Sequence, residues 1–370
     1  MAKLHIIEPT LADQAGHCHG YVQGLIEANQ QVGYRLHVWL DKRGHHLYAN
    51  EDCEVHPYFN RQLRQWQKLF CLRRLFNQQE IMFIPTAQRI DLIYLTWLLR
   101  QSSRKYQQKF FLHFHQFKIN SKKEALLKKI AQHQENFVIL APTQGLLDIF
   151  QQAGFMQGEK VPCPGYSPTR ANQSRTEPVF NKVIYAGAAR ADKGFPELVA
   201  FVEYLAAQSV TLPLEIQVSP PFSGRYDEKS QQALKQLKKL SLPSVILHEK
   251  TLEKETYQNL FCHAICLLIY DPSSYRDKFS GVTLDAFYAG CPVISVEKTW
   301  AGDMTERFQA GVVLANRSAE NVWQALQHIR ENYLFYTKNA QRAGEVLRRE
   351  HDPINTLRAI EKYAFICGES

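Results

Sequence analysis

The chain lacks several features that would place it at once. No stretch approaches the roughly 20 consecutive apolar residues of a membrane span. The longest apolar runs, at 137–141 and 265–270, have only the length of a buried strand. Its eight cysteines stand at 18, 53, 71, 163, 262, 266, 291 and 367 and form no C-x-x-C pair. That scatter argues against a disulfide frame and for thiols in a reducing compartment. No metal ligands are assigned: Cys262, His263 and Cys266, like His17, Cys18 and His19, read as packing residues. Zinc-finger spacing, an RNP-like strand and a helix-turn-helix pattern are all missing, so nucleic acid is not the expected partner. The first residues, MAKLHIIEP, are strand-like and have no signal-peptide layout. A cytoplasmic protein is expected.

What is present suits a large α/β protein. A chain of 370 residues with 45% hydrophobic content can bury two cores more naturally than one. The net charge of +8 is unevenly spread: residues 1–170 hold 21 Lys and Arg against 13 Asp and Glu, and the remainder 23 against 23. The basic surface is therefore N-terminal, densest at 61–76 and 104–129. In the first of these, Trp66, Leu69, Phe70 and Phe76 alternate with Arg61, Arg64, Lys68, Arg73 and Arg74. Two readings stand side by side. One is a basic amphipathic helix resting on the anionic inner face of a membrane; the other is an ordinary helix with its aromatics in the core.

Taken in order, 4–7 reads as a strand, 21–31 as a helix and 34–40 as a second strand, with the loop containing Gly16 and Gly20 between the first two. Two glycines are too few for a dinucleotide fingerprint, but the loop leaves the carboxyl end of a strand, where open parallel sheets bind ligands. Further strands are expected at 81–84, 91–95, 109–115 and 137–141. In KFFLHFH, His113 and His115 fall on one face. Residues 166–177 are rich in Ser, Thr, Pro, Asn and Arg, a linker composition. After it the alternation resumes with strands at 182–187, 214–218, 245–249 and 265–270, helices between them, and a final helix from 354. The fold class expected is α/β with two Rossmann-like, doubly wound parallel sheets. Residues 1–165 form the first domain, 166–181 the linker and 182–350 the second domain, and 354–370 returns to the first.

Two stretches carry chemistry. In 182–194 a strand runs into a loop with Arg190 and Lys193, a basic pair able to neutralise a diphosphate, Arg190 through a planar fork and Lys193 as a point charge. In 271–296, DPSSYRDKFSGVTLDAFYAGCPVISV, a loop enters a helix near Ser280-Gly281, so the N–H groups at Gly281, Val282 and Thr283 make an anion site. Asp277 and Asp285, eight residues apart, flank that turn.

The second stretch resembles the donor-site signature of retaining GT-B glycosyltransferases of the family 4 group, E-x7-E with a Phe-Gly pair and then A-x-A-x-G-x-P-V-I. The matching residues are Asp277, Phe279, Ser280, Gly281, Asp285, Ala286, Ala289, Gly290, Pro292, Val293 and Ile294. Both acids are Asp, and Ser280 stands in place of a glycine. The first stretch resembles the family's G-R-x-x-x-x-K-G, with Gly187, Lys193 and Gly194 in register and Ala188 where the arginine belongs. Ala141-Pro-Thr is similar to the family's A-P-S, and Ala301-Gly302-Asp303 to its Gly-Gly-x-x-Glu turn.

The resemblance implies a retaining transfer of a sugar from a nucleotide-diphosphate sugar to a glycan or lipid-linked acceptor in cell-surface polysaccharide or lipopolysaccharide synthesis. On this reading Lys193, Arg190 and the helix terminus at Gly281 hold the departing diphosphate. Asp285 binds ribose, Asp277 binds the sugar, His115 approaches the reacting centre, the Gly16 loop and Gly187 face the phosphates, and Glu249 contacts the base. No cofactor is implied, and with no D-x-D for a diphosphate-bridging cation, metal independence is expected. The two Glu-to-Asp changes and the displaced arginine also keep open a nucleotide- or glycan-binding partner protein without turnover. A GT-B nucleotide-sugar epimerase is a further alternative.

Overall fold

The structure is a computed structural model and describes residues 2–14, 17–102, 106–164, 178–219, 226–250, 252–276 and 278–364. The chain divides into two compact units, Met1–Tyr166 with Glu350–Ser370, and Ser167–Arg349. Most of the segment read as a linker, 165–177, lies outside the described residues.

Unit 1 is built on seven strands: β1 (Lys3–Ile7), β2 (Arg35–Asp41), β3 (Glu54–Phe59), β4 (Ile81–Ile84), β5 (Phe110–His113), β6 (Phe137–Ala141) and β7 (Gly158–Lys160). Their order is β3-β2-β1-β4-β5-β6-β7 and every pairing is parallel. The central strands are short apolar runs because both faces are covered. On one face Leu4, Ile6, Val38 and Phe111 pack with the helices His17–Ala28 and Pro353–Ala364. On the other, Ile7, Trp39, Leu112 and Ile139 pack with Arg64–Asn77 and Arg89–Gln101. The last helix comes close: a Cβ on Gly24 would stand 2.6 Å from Pro353 Cγ, so glycine is required there.

Unit 2 repeats the plan with β8 (Lys182–Tyr185), β9 (Leu214–Gln217), β10 (Val245–His248), β11 (Ala264–Leu268), β12 (Val293–Val296) and β13 (Gly311–Leu314), in the order β10-β9-β8-β11-β12-β13, again all parallel. The helices Phe195–Ala207 and Ala319–Glu331 cover one face, and Gly281–Tyr288 and Tyr333–Glu350 the other.

Three sequence expectations need correction. Residues 91–95 are helical, inside Arg89–Gln101, because the Gln88 N–H donates to Asp91 Oδ2 at 2.7 Å as a capping box, and Leu92, Leu95 and Leu98 then share a buried stripe. The edge strand β3 was not foreseen, since its Glu54, His56 and Pro57 do not read as a buried strand. Ala301-Gly302-Asp303 is the first turn of the helix Trp300–Phe308 rather than a turn of its own. In each sheet the chain reverses direction of winding once, between β1 and β4 and between β8 and β11. Loops leaving the carboxyl ends of those strand pairs diverge and open a crevice.

Candidate functional site

The β8/β11 crevice collects both motifs. From β8 the chain passes Gly187, whose φ of +92° disfavours any residue with a Cβ, and whose N–H donates to Gln217 Oε1 at 2.7 Å. It then forms a single 3-10 turn over Ala191–Lys193 and reaches Gly194 at φ +77°. A Cβ on Gly194 would lie 2.0 Å from the Ile269 carbonyl, so the Lys-Gly pair is pressed against the end of β11. The Asp271 N–H donates to the Asp192 carbonyl at 3.0 Å and ties the two crevice loops together.

This packing returns Lys193 over Gly187. A Cβ built on Gly187 would stand 2.8 Å from Lys193 Nζ and 3.3 Å from Val282 Cγ2. Two segments about 90 residues apart in sequence thus meet across one glycine. Among the described residues no carboxylate lies within ion-pair distance of the Lys193 ammonium. Burial and the nearby Arg190 guanidinium push its pKa down to about 8. The free site therefore holds a cation at a cost, which an incoming anion would relieve.

The facing helix is Gly281–Tyr288. Ser280 caps it, its Oγ accepting from the Thr283 N–H at 3.3 Å and meeting Tyr270 OH at 3.0 Å. The Thr283 N–H is therefore engaged by the cap, unlike the expectation of three donors at Gly281, Val282 and Thr283. Among the described residues nothing lies within 4 Å of a Cβ placed on Gly281, so there is room beside the first residue of this helix. The Thr283 hydroxyl, fully buried, has no hydrogen-bond partner among the described residues. One turn on, Asp285 Oδ2 accepts from Tyr257 OH at 2.9 Å. Burial lifts the Asp285 carboxyl to about 6, while Tyr257 and the Lys193 charge restrain the rise.

The remaining expected residues are distributed as follows. Arg190 is in the same loop, but its fork is occupied: Nε donates to Asp192 Oδ1 at 2.8 Å and Nη2 pairs with Oδ2. Glu249 follows β10, at the sheet edge and separated from β8 by β9, and is paired with Lys238 at 2.5 Å. His115 lies in unit 1, just beyond β5, its ring stacked on Tyr21 at 5.9 Å. His113, fully buried, meets Tyr21 OH at 2.5 Å through Nδ1, and burial holds it neutral. Gly16 and Asp277 lie outside the described residues. Sequence reasoning missed Tyr257, Gln217 and Asp192. Only Asp192, next to Lys193, carried a local signal, as the nearest carboxylate to a displaced arginine.

The basic aromatic segment divides between the two readings given to it. Leu72, Leu75 and Phe76 are buried in the core, and Lys68, also buried, pairs with Asp91 at 2.5 Å. Leu63, Trp66 and Phe70 are 56%, 66% and 57% exposed, flanked by exposed Arg61, Arg73 and Arg74. An apolar aromatic strip bordered by arginines faces outward. No helix among the described residues is long and apolar enough to cross a membrane.

Two parallel Rossmann-like sheets, each with a switch-point crevice, define the GT-B class of fold, and solved structures of that class superpose along the whole chain. A glycosyltransferase from Rickettsia africae matches with a TM-score of 0.70 at 11% identity, covering 100% of this chain and 99% of its own. HepE of Anabaena, in complex with UDP and glucose, gives 0.68 at 14% identity over 98% and 99%. Sucrose-phosphate synthase of Thermosynechococcus elongatus gives 0.65 at 16% identity over 100% and 98%. No family model and no curated protein matches the chain by sequence.

Proposed function

We propose that the protein is a glycosyltransferase that binds the diphosphate of a nucleotide-sugar at the β8/β11 crevice. The observation that carries this reading is the meeting of the Lys193 ammonium and the amino end of helix Gly281–Tyr288 across Gly187. A cation without an ion partner among the described residues and the first backbone N–H groups of a helix, which have no intrahelical acceptor, are the complement of a leaving diphosphate. They stabilise charge as it develops and need no reorganisation. Asp285, whose Oδ2 is held by Tyr257, accepts from the ribose hydroxyls on this reading. With the diphosphate held this way, a leaving-group oxygen can take the acceptor's proton on the face from which the sugar departs. This gives retention without a protein nucleophile. Lys193 and the helix end supply the charge that a divalent cation would otherwise bring, so transfer without metal is part of the proposal. Asp277 on the sugar, His115 toward the reacting centre, Gly16 beside the phosphates and Glu249 on the base complete it.

UDP-sugars are the first donors to test, because the Anabaena HepE complex contains UDP and the E. coli trehalose-6-phosphate structure UDP-2-fluoro glucose. A glycan or lipid-linked acceptor at the inner face of the membrane suits the strip Leu63, Trp66 and Phe70, whose aromatics and arginines match an anionic lipid surface. The test is release of nucleoside diphosphate from a panel of nucleotide-sugars in EDTA. Slow donor hydrolysis in wild type, lost in Lys193→Ala, supports a transferase. Tight nucleotide binding with no turnover for any donor supports the second reading, a nucleotide-binding partner protein, which the engagement of Arg190 by Asp192 favours. For the membrane, sedimentation with vesicles rich in anionic lipid should fall when Trp66 and Phe70 are changed to Ser; unchanged sedimentation would remove that part.

A further inference from the structure

On the outer half of the unit 1 sheet, away from the switch point, three adjacent parallel strands bring histidines together. Register places His5 of β1 beside His37 of β2, His37 beside Glu54 of β3, and Trp39 beside His56. His37 Nδ1 and His56 Nε2 are 3.0 Å apart; Glu54 Oε2 is 3.5 Å from the first and Glu54 Oε1 3.4 Å from the second. Each carboxylate oxygen of Glu54 thus faces a different imidazole nitrogen, and the ligand atoms of the three side chains gather within 4.8 Å of one another. The edge of a tetrahedron whose centre lies about 2.0–2.1 Å from each vertex is roughly 3.3–3.4 Å, so small side-chain adjustments bring the two nitrogens and one carboxylate oxygen onto one face of a zinc coordination sphere.

We propose that His37, His56 and Glu54 form a binding site for a divalent transition-metal ion of the zinc class. The rings are held before any ion arrives. His56 is stacked on Trp39 at 4.3 Å and 15°, and His37 on His5 at 4.6 Å and 24°. His5 is itself fixed, its Nδ1 accepting from Trp39 Nε1 at 2.9 Å. His37 is almost fully buried, while the side chains of His56 and Glu54 are 25% and 49% exposed, so an ion has a path in and water can fill the fourth position. Two imidazoles and one carboxylate suit zinc or cobalt(II) and are poor ligands for calcium or magnesium, which take all-oxygen sets. Arg35, 3.4 Å from Glu54 Oε2, is the competitor for the carboxylate, and as an exposed pair it is weakly held. Bound metal clamps the edge strand β3 to β2 and binds only folded unit 1, so it acts as a stability ligand independent of the donor crevice.

The test uses the full chain without a histidine tag, stripped with chelator and titrated with zinc or cobalt(II). One equivalent should bind, raise Tm by a few degrees and give cobalt the intense visible absorption of a tetrahedral site with nitrogen and oxygen ligands. His56→Ala should weaken binding on the order of 100-fold. Glu54→Gln, at an exposed position that threatens no packing, should weaken it about tenfold and lower the Tm gain. The proposal is overturned if zinc affects wild type and both variants alike. It is equally overturned if cobalt shows a thiolate charge-transfer band that disappears in Cys163→Ser. That result would put the metal at the other histidine cluster, His113, His115 and Cys163.

Discussion

The two units have the same sheet plan and opposite electrostatics at their switch points. In unit 1 the residue leaving β1 is Glu8, fully buried and satisfied from within: it accepts from the Thr10 N–H at 3.1 Å and from the hydroxyls of Thr10 and Thr86. In unit 2 the corresponding loop delivers Lys193, with no ion partner among the described residues and a pKa lowered to about 8. One crevice has closed on its own side chains. The other keeps an electrostatic cost in the free protein, and a fold retains such a cost where a ligand cancels it. The comparison favours unit 2 for the anion site proposed above.

The comparison can be broken at several points. The largest effect should come from Glu8→Ala, which removes a fully buried carboxylate together with its hydrogen bonds from the Thr10 N–H and the Thr10 and Thr86 hydroxyls, and should cost about 2–4 kcal/mol in urea unfolding of unit 1. Nucleoside diphosphate affinity should fall only slightly, through the adjoining Gly16 loop; a loss as large as that of Lys193→Ala would show that the main anion contacts lie in unit 1. Next, Lys193→Ala should cost roughly 2–3 kcal/mol of diphosphate binding, on the order of 100-fold in Kd. Lys193→Met should do the same while raising the stability of the free protein by up to about 2 kcal/mol, because a cation held below its ordinary pKa opposes folding until it is deprotonated. Gly187→Ala puts a methyl 2.8 Å from the ammonium at a φ of +92° and should weaken binding at least about tenfold by the same titration.

A smaller effect is expected from pH. The proton on Lys193 is needed for the anion, so affinity should hold below pH 8, fall as pH rises through the free-state pKa of about 8, and show proton uptake on binding in that window. Flat affinity from pH 7 to 10 would exclude Lys193 as the contact. Smallest is Tyr257→Phe. Losing its hydrogen bond should raise the Asp285 carboxyl further from about 6 and weaken nucleoside diphosphate binding about three- to tenfold near neutral pH. The ribose contribution can be isolated by comparing the same loss with inorganic diphosphate.

The sequence revealed the crevice better than it revealed what fills it. Gly187, Lys193, Gly281 and Asp285 could be placed because a glycine at positive φ, a cation after a strand and a helix start are local features with local causes. Arg190 was also located, but its pairing with Asp192 was not, since side-chain partner choice depends on tertiary geometry. The strand expected at 91–95 failed because Leu92 and Leu95 satisfy a helix and a short buried run equally well. The Gln88–Asp91 cap decided it. Edge strand β3 was invisible for the opposite reason: half-exposed and polar, it has no apolar signature. Its Glu54 and His56 meet His37 only because β3 lies beside β2, a relation that sequence spacing does not contain.

The most direct measurement is a calorimetric titration of wild type and Lys193→Ala with UDP, ADP and GDP at pH 8, in two buffers of different ionisation enthalpy. The account predicts that wild type binds at least one of the three with uptake of a fraction of a proton, and that the variant loses both the affinity and the uptake. Equal binding by the two proteins, or no binding of any diphosphate, would contradict a donor site at Lys193.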